Sequence, residues 1–294
     1  MIIIVGAPRS GTTLLGKILS SSPSVHYFEE PNVIWRYKNW RKLGHEEFQK
    51  QHASAEVKTY IRNWFLNDKK VSVEKTPANA LRLEFVREVF PEAKFIFLYR
   101  NSEDVVRSMK KKWLYEEDKN GSSLGNDVPF RQLRLQSRRF LTVPTSDKPY
   151  YIKTIFSELL FQVFGKKRNF WGPQYSGYKI DADKSDVDYI CYKLWTLLTS
   201  EMIKFSSSLP APSYIELTYE QLVSNPLFWI NKLSLFCNIN DISFSVENLN
   251  KKKNKENNTN LDFTRNYGDF NLNKLYRSNC KFIDILNDKP LLDV

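Results

Sequence analysis

The chain has 294 residues, one large domain or two small ones at roughly 150 residues each. With 44 Lys+Arg against 33 Asp+Glu it carries a net charge of +11, which admits nucleic acid, an anionic membrane surface or a polyanionic small molecule as partner. Hydrophobic residues make up 41% and aromatics 14%, which excludes a wholly disordered chain.

Ile2-Ile3-Ile4-Val5 is a short β-branched run, as in a strand buried on both faces. Gly6-Ala7-Pro8-Arg9-Ser10-Gly11-Thr12-Thr13 follows, then Leu14, Leu15, Ile18 and Leu19 at helical spacing. The pattern is strand, tight glycine loop, helix. A second strand over 25–27 runs into Glu29-Glu30-Pro31, and 32–67 reads as mainly helical around Trp35, Trp40, Phe48, Ile61, Trp64 and Phe65. A third strand over 71–73 ends at Glu74-Lys75-Thr76-Pro77, and an amphipathic helix over 81–90 stops at Pro91. Lys94–Tyr99 is the clearest strand and ends on Arg100-Asn101; Ser102-Glu103-Asp104 begins a further helix to about residue 112.

Residues 115–185 break this rhythm with scattered Gly, Pro and aromatics and a Trp171-Gly172-Pro173 turn. A long helix over 186–206, a strand over 214–217 and a helix over 226–237 restore it. The stretch 248–260 is polar and of low complexity. Strands alternating with helices predict an α/β fold with a mostly parallel sheet flanked by helices, a three-layer P-loop-type architecture in one domain over 1–294.

No apolar run approaches the roughly 20 residues of a bilayer span, and the apolar start is too short for a leader. Cys191, Cys237 and Cys280 are far apart and form no CxxC pair. They suit a reducing compartment, so the expected location is cytoplasmic. His26, His45 and His52 all lie early, and no metal site is expected. Basic residues are mostly interspersed with acids, and the cluster Lys251, Lys252, Lys253 and Lys255 accompanies no nucleic-acid module, so no nucleic acid is expected.

Gly6-x-x-x-x-Gly11-Thr12-Thr13 has the spacing of a phosphate-cradling loop, whose backbone N–H groups converge on an anion at a helix N-terminus. An ordinary strand-to-helix turn is the alternative. The ATPase signature places Lys directly after the second glycine; here that position is Thr12, and the loop's cation is Arg9. A phosphate site is favoured over ATP hydrolysis.

Gly-x-Pro-Arg-Ser-Gly-Thr-Thr-Leu after an apolar strand resembles the 5′-phosphosulfate loop of sulfotransferases that use 3′-phosphoadenosine 5′-phosphosulfate (PAPS). Tyr99-Arg100-Asn101 with Asp104-Val105-Val106-Arg107-Ser108 resembles that family's 3′-phosphate motif, an Arg with a Ser eight residues later. Tyr219-Glu220-Gln221-Leu222 resembles its Tyr-Glu-x-Leu segment, whose tyrosine lies by the adenine. The resemblance implies a PAPS-dependent enzyme that moves a sulfuryl group to a hydroxyl and releases the bisphosphate PAP. It implies that Arg9, Ser10, Gly11, Thr12 and Thr13 hold the 5′ end, Arg100 and Ser108 the 3′-phosphate, and Tyr219 the base. Phe263-Thr264-Arg265-Asn266-Tyr267-Gly268-Asp269 partly resembles the family's Arg-Lys-Gly…Gly-Asp-Trp loop, making Arg265 a further 3′-phosphate ligand. The loop over 248–270 is expected to be mobile without donor.

Glu30 lies twenty-one residues after the loop arginine, an offset similar to that of the catalytic glutamate of tyrosylprotein sulfotransferases, within a similar Glu-Glu pair. It is the expected base, with Glu29 as second candidate. Lys75, in a Glu-Lys-Thr-Pro segment frequent in bacterial sulfotransferase-like proteins, would stabilise the bridging oxygen together with Arg9. Both acids as surface groups and Lys75 as a snorkelling lysine are the alternatives. The region 115–185 is the expected acceptor-site insertion, where Phe170, Trp171, Tyr175 and Tyr178 either stack on an acceptor ring or pack as a lid. Carbohydrate, phenol, lipid and tyrosine hydroxyls remain open as acceptors, as does the oligomeric state. A P-loop kinase of small molecules and a non-catalytic nucleotide- or polyanion-binding protein are the competing functions.

Overall fold

A computed structural model describes residues 1–66, 70–121, 148, 152, 170–243 and 270–289. Five strands form one sheet: β1 (Ile2–Val5), β2 (Val25–Glu29), β3 (Val71–Lys75), β4 (Lys94–Tyr99) and β5 (Tyr214–Thr218). Their order is β2-β3-β1-β4-β5, and every pairing is parallel. Parallel neighbours need crossovers, and helices provide them on both faces.

Strand alternation divides the core. Ile3, Val5, Phe95, Phe97 and Tyr99 face one apolar layer, while Ile2, Ile4, Ile96 and Leu98 face the other. The second layer is closed by α1 (Thr12–Leu19), α9 (Tyr219–Ser224) and α10 (Pro226–Cys237) through Leu15, Ile18, Leu222, Trp229 and Leu233. The first is closed by α4 (Ala55–Phe65), α5 (Leu83–Val89), α6 (Ser102–Gly121) and α8 (Val187–Ser206). The fully buried run Ile2–Val5 thus reflects a central strand covered on both sides.

The region after β2 is less continuous than its helical reading. It holds α2 (Asn32–Trp35), α3 (Asn39–Leu43), a 3-10 turn at Lys50–His52 and α4. Gly44, at φ +69°, closes α3 as a left-handed cap. Strands β2 and β3 each run two residues further than expected, to Glu29 and Lys75. A 3-10 turn at Pro77–Leu81 shortens the helix before Pro91 to Leu83–Val89.

Helix α6 continues to Gly121, past the expected end near 112. Its first turn is capped by Asn101, whose Oδ1 accepts from the Glu103 N–H at 2.8 Å. Ser102, in the expected capping segment, instead lies 3.0 Å from the Tyr276 hydroxyl. That tyrosine belongs to the last described helix, α11 (Phe270–Asp288), which the sequence reading left out. Helix α7 (Tyr178–Lys184) lies inside the region read as irregular. Arg265, the 251–255 basic cluster and the loop over 248–269 lie outside the described residues, as does most of the expected insertion. Among the described residues no helix is long and apolar enough to cross a membrane.

Candidate active site at the carboxyl rim of the sheet

The carboxyl ends of the strands share one rim, and register decides which side chains meet there. Glu29 pairs with Lys75 and Tyr99 with Thr218. The residues at and just beyond those pairs, Glu30 and Lys75 on one half and Arg100 and Tyr219 on the other, therefore leave the sheet as neighbours.

In the centre, β1 passes through the glycine loop into α1. Gly6 must be glycine because a Cβ there would come within 2.8 Å of the Leu98 carbonyl oxygen and 2.7 Å of Ser10 Oγ. Gly11 has φ +97°, and its Cβ would stand 2.5 Å from the Tyr219 ring. Arg9 adopts φ 72° without being glycine, a strained conformation of the kind found where a loop presents its backbone to a ligand. Ser10 is buried, and its hydroxyl donates to the Ala7 carbonyl at 2.7 Å, which pins the loop from inside. Helix α1 has no side-chain cap and no acidic residue in its first turn. Its leading N–H groups and the helix dipole thus face outward with favourable potential for an anion.

The two expected phosphate grips adjoin. Arg9 Nε donates to Ser108 Oγ at 2.9 Å, across 99 residues of sequence. Arg100, 6% exposed, donates to the Arg9 carbonyl at 3.2 Å and lies 4.2 Å over the Tyr219 ring. Asp104 approaches Arg100 at 3.4 Å and Arg107 at 3.7 Å. The N–H of Asn101 donates to Glu220 at 3.0 Å, fastening the β4 exit to the start of α9. Two arginines, a serine and a helix N-terminus brought together form a donor set suited to a polyanion with two anionic ends.

On the other half of the rim, Lys75 Nζ donates to Glu30 Oε1 at 2.5 Å and lies 3.5 Å from Glu29. Lys75 is 1% exposed and Glu30 48%, so a buried cation meets a carboxylate open to solvent. Glu30 has φ 55°, and its N–H donates to the Lys75 carbonyl at 2.8 Å, prolonging the strand pairing by one rung. Thr13, from the first turn of α1, donates to Glu29 at 3.1 Å and connects this acid pair to the glycine loop.

Behind Lys75 runs a chain of buried polar groups that sequence reading missed. Glu74 accepts from Trp35 Nε1 at 3.0 Å and Asn79 Nδ2 at 2.8 Å. Asn79 Oδ1 accepts from Arg82 Nε at 2.8 Å, and Arg82 stands 3.6 Å from Glu46. Glu46 accepts from Arg36 at 3.0 Å and from the Gln174 N–H at 2.9 Å, just beyond the Trp171-Gly172-Pro173 turn. Burial pushes the Glu74 carboxyl up to about 7 and the Arg82 guanidinium down to about 10. Burial acts the same way on Glu46, but Arg36 and Arg82 overcome it and hold that carboxyl below its ordinary range. Buried charges carry no periodic signature in a sequence; the strand-end position of Glu74 was the one available hint.

The aromatics of the middle region pack on the protein itself. Phe170 lies 5.1 Å from Trp113 and 4.9 Å from Tyr178, and the Tyr175 hydroxyl donates to Asp181 at 2.5 Å.

Residues 2–140 match the sequence model described as the Sulfotransferase family. A protein-tyrosine sulfotransferase 1 of Danio rerio is 34% identical to this chain over an alignment covering 37% of the chain and 35% of that protein. The chain thus spans about a third of the length of the curated relatives it matches. The solved sulfotransferase domain of the Synechococcus PCC 7002 olefin synthase superposes with a TM-score of 0.51 at 13% identity, covering 95% of this chain and 93% of that one. The sulfotransferase domain from the curacin biosynthetic pathway gives a TM-score of 0.50 at 14% identity, covering 97% of each chain. At these identities the likeness is one of fold.

Proposed function

From the match of residues 2–140 to the Sulfotransferase family, we propose that this chain transfers a sulfuryl group from PAPS to a hydroxyl acceptor and releases PAP. The observation that supports this reading is the junction of Arg9, Ser108 and Arg100 at the start of α1. The groups fit a bisphosphorylated nucleotide: the loop leaves no Cβ at Gly6 or Gly11, and no acid occupies the first turn of α1.

When bound, the donor supplies the sulfuryl group and a stable leaving nucleotide. The backbone of residues 9–13 with the Arg9 guanidinium would hold its phosphosulfate. Arg100 and Ser108, with Arg265 as a further ligand, would hold the 3′-phosphate, and Tyr219 would lie by the base. Glu30 would take the proton of the acceptor hydroxyl on its carboxylate, and the Lys75 ammonium would offset negative charge growing on the leaving group. Thr13 keeps Glu29 turned toward the loop, which favours Glu30 over Glu29 as base. The three free cysteines support a reducing compartment such as the cytoplasm. A kinase reading draws less support, since Thr12 stands where the phosphate-binding lysine would be.

The test uses 35S-labelled PAPS with carbohydrate, phenol, lipid and tyrosine-peptide acceptors, together with thermal protection by PAP and by AMP. Label transfer, and protection by PAP well beyond that by AMP, are expected. Equal protection by both nucleotides, or Mg-dependent ATP consumption in place of label transfer, overturns the reading.

A further inference from the structure

Glu74 immediately precedes Lys75 on β3 and pairs with Ile3, so it faces the layer opposite to the one Lys75 faces. It is wholly buried, and its two oxygens accept from the Trp35 indole N–H and the Asn79 amide N–H, with the Thr76 hydroxyl beside them. Each donor stands a few residues beyond one member of the Glu30–Lys75 pair. Trp35 ends α2, which follows Glu30 and Pro31; Asn79 lies in the 3-10 turn that follows Lys75 and Thr76. One carboxylate therefore ties together the two segments that leave the sheet at those residues.

The orientation of Asn79 is fixed, because its Oδ1 accepts from Arg82 Nε at 2.8 Å. The amide nitrogen must then face Glu74. A glutamine at position 74 would set an NH2 group against either the Asn79 amide or the indole N–H, and turning Asn79 over would leave Arg82 Nε without its acceptor. An ionised carboxylate satisfies both N–H donors, whereas burial opposes that ionisation. Burying such a charge is unfavourable compared with hydrocarbon packing, so its presence calls for a role in specifying geometry.

We propose that Glu74 is a positioning residue for the Glu30–Lys75 pair, holding the Trp35 and Asn79 segments at the spacing that keeps Lys75 Nζ on Glu30. Its catalytic consequence rests on the sulfuryl-transfer reading; its geometric content does not.

The experiment compares wild type, Glu74→Gln, the exchange variant Glu74→Gln/Asn79→Asp, and Trp35→Phe. The exchange restores donor–acceptor polarity: the new amide at position 74 accepts from Trp35 and donates to the new carboxylate at position 79, which still accepts from Arg82. Three readouts are taken: competitive acylation of lysines followed by mass spectrometry, kcat and KM for PAPS, and the thermal shift produced by PAP. In Glu74→Gln we expect faster acylation of Lys75, a fall in kcat of about tenfold from misplaced groups, and an unchanged PAP shift. The exchange variant should recover both Lys75 protection and kcat. Trp35→Phe, which removes one donor without inserting another, should show a smaller change in the same direction and carries the test if Glu74→Gln does not fold.

Unchanged Lys75 labelling in the folded variants overturns the proposal, as does failure of the exchange to restore it, or a parallel loss of PAP binding. Should wild type transfer nothing from PAPS, the function falls while Lys75 labelling still decides the geometry.

Discussion

Arg9 and Ser108 are joined by a 2.9 Å hydrogen bond between the glycine loop and the second turn of α6. The loop that would take the donor's 5′ end and the helix that would take its 3′-phosphate are thus one surface. Ser108→Ala removes a hydroxyl from that surface and leaves the fold untouched. PAP affinity should fall about 10–100-fold, as for a hydrogen bond to a charged group, and AMP affinity should stay put; calorimetric titration with both nucleotides checks this.

The Glu30–Lys75 pair is asymmetric, and its two truncations should differ. Lys75→Met removes a buried cation and leaves Glu30 in water, so stability changes little. Glu30→Gln leaves Lys75 buried with Glu29 at 3.5 Å, a loss of about 2 kcal/mol. That corresponds to a Tm lower by about 5 °C, read by scanning calorimetry. Both variants should lose turnover, Glu30→Gln by about 10²–10⁴-fold, while PAP still protects them against heat.

Gly11→Ala should abolish donor binding. The left-handed backbone at this position costs a non-glycine residue about 1–2 kcal/mol, and the new methyl group would press on the Tyr219 ring. Pairing it with Tyr219→Ala relieves the contact but not the strain, so the double variant should regain only part of the thermal stability. Chemical denaturation of the two variants separates the contributions.

Glu74 makes stability depend on pH in a definite direction. Its folded-state value of about 7 lies above the ordinary 4.5; burial is the main cause, opposed by Thr76, Trp35, Arg82 and Lys75, and Asn79 and Tyr27 also face it. The folded state therefore binds the extra proton between those values, and this contribution is full below 4.5 and lost as pH rises through 7. Between pH 5 and 8 the Tm of wild type should decline more than that of Glu74→Gln. Equal slopes would show that Glu74 stays ionised throughout.

Much of this arrangement was legible in the sequence because it depends on local chemistry. Ile2–Val5 and Lys94–Tyr99 are apolar runs ended by polar turn residues, and the two glycines sit where backbone must approach backbone or ring. Helix α11 was not read because a low-complexity stretch precedes it and its apolar positions are sparse. Leu272, Tyr276, Asn279, Ile283 and Leu286 do recur at steps of three and four, and that was the available signal. The chain from Glu74 to Glu46 was illegible for a different reason. Charged residues carry the same letters in a core as on a surface, and only the fold reveals which have been taken from water.

The strand order β2-β3-β1-β4-β5 would separate two kinds of work across the rim. The groups proposed to grip the nucleotide hang from β1, β4 and the β5 exit, whereas those proposed to handle the proton hang from β2 and β3. On that proposed division, the β2–β3 half is the part that would change with the acceptor. Rebuilding the crossover between β2 and β3 would redirect the chemistry to a different hydroxyl while the machinery for recognising the spent nucleotide carried over intact.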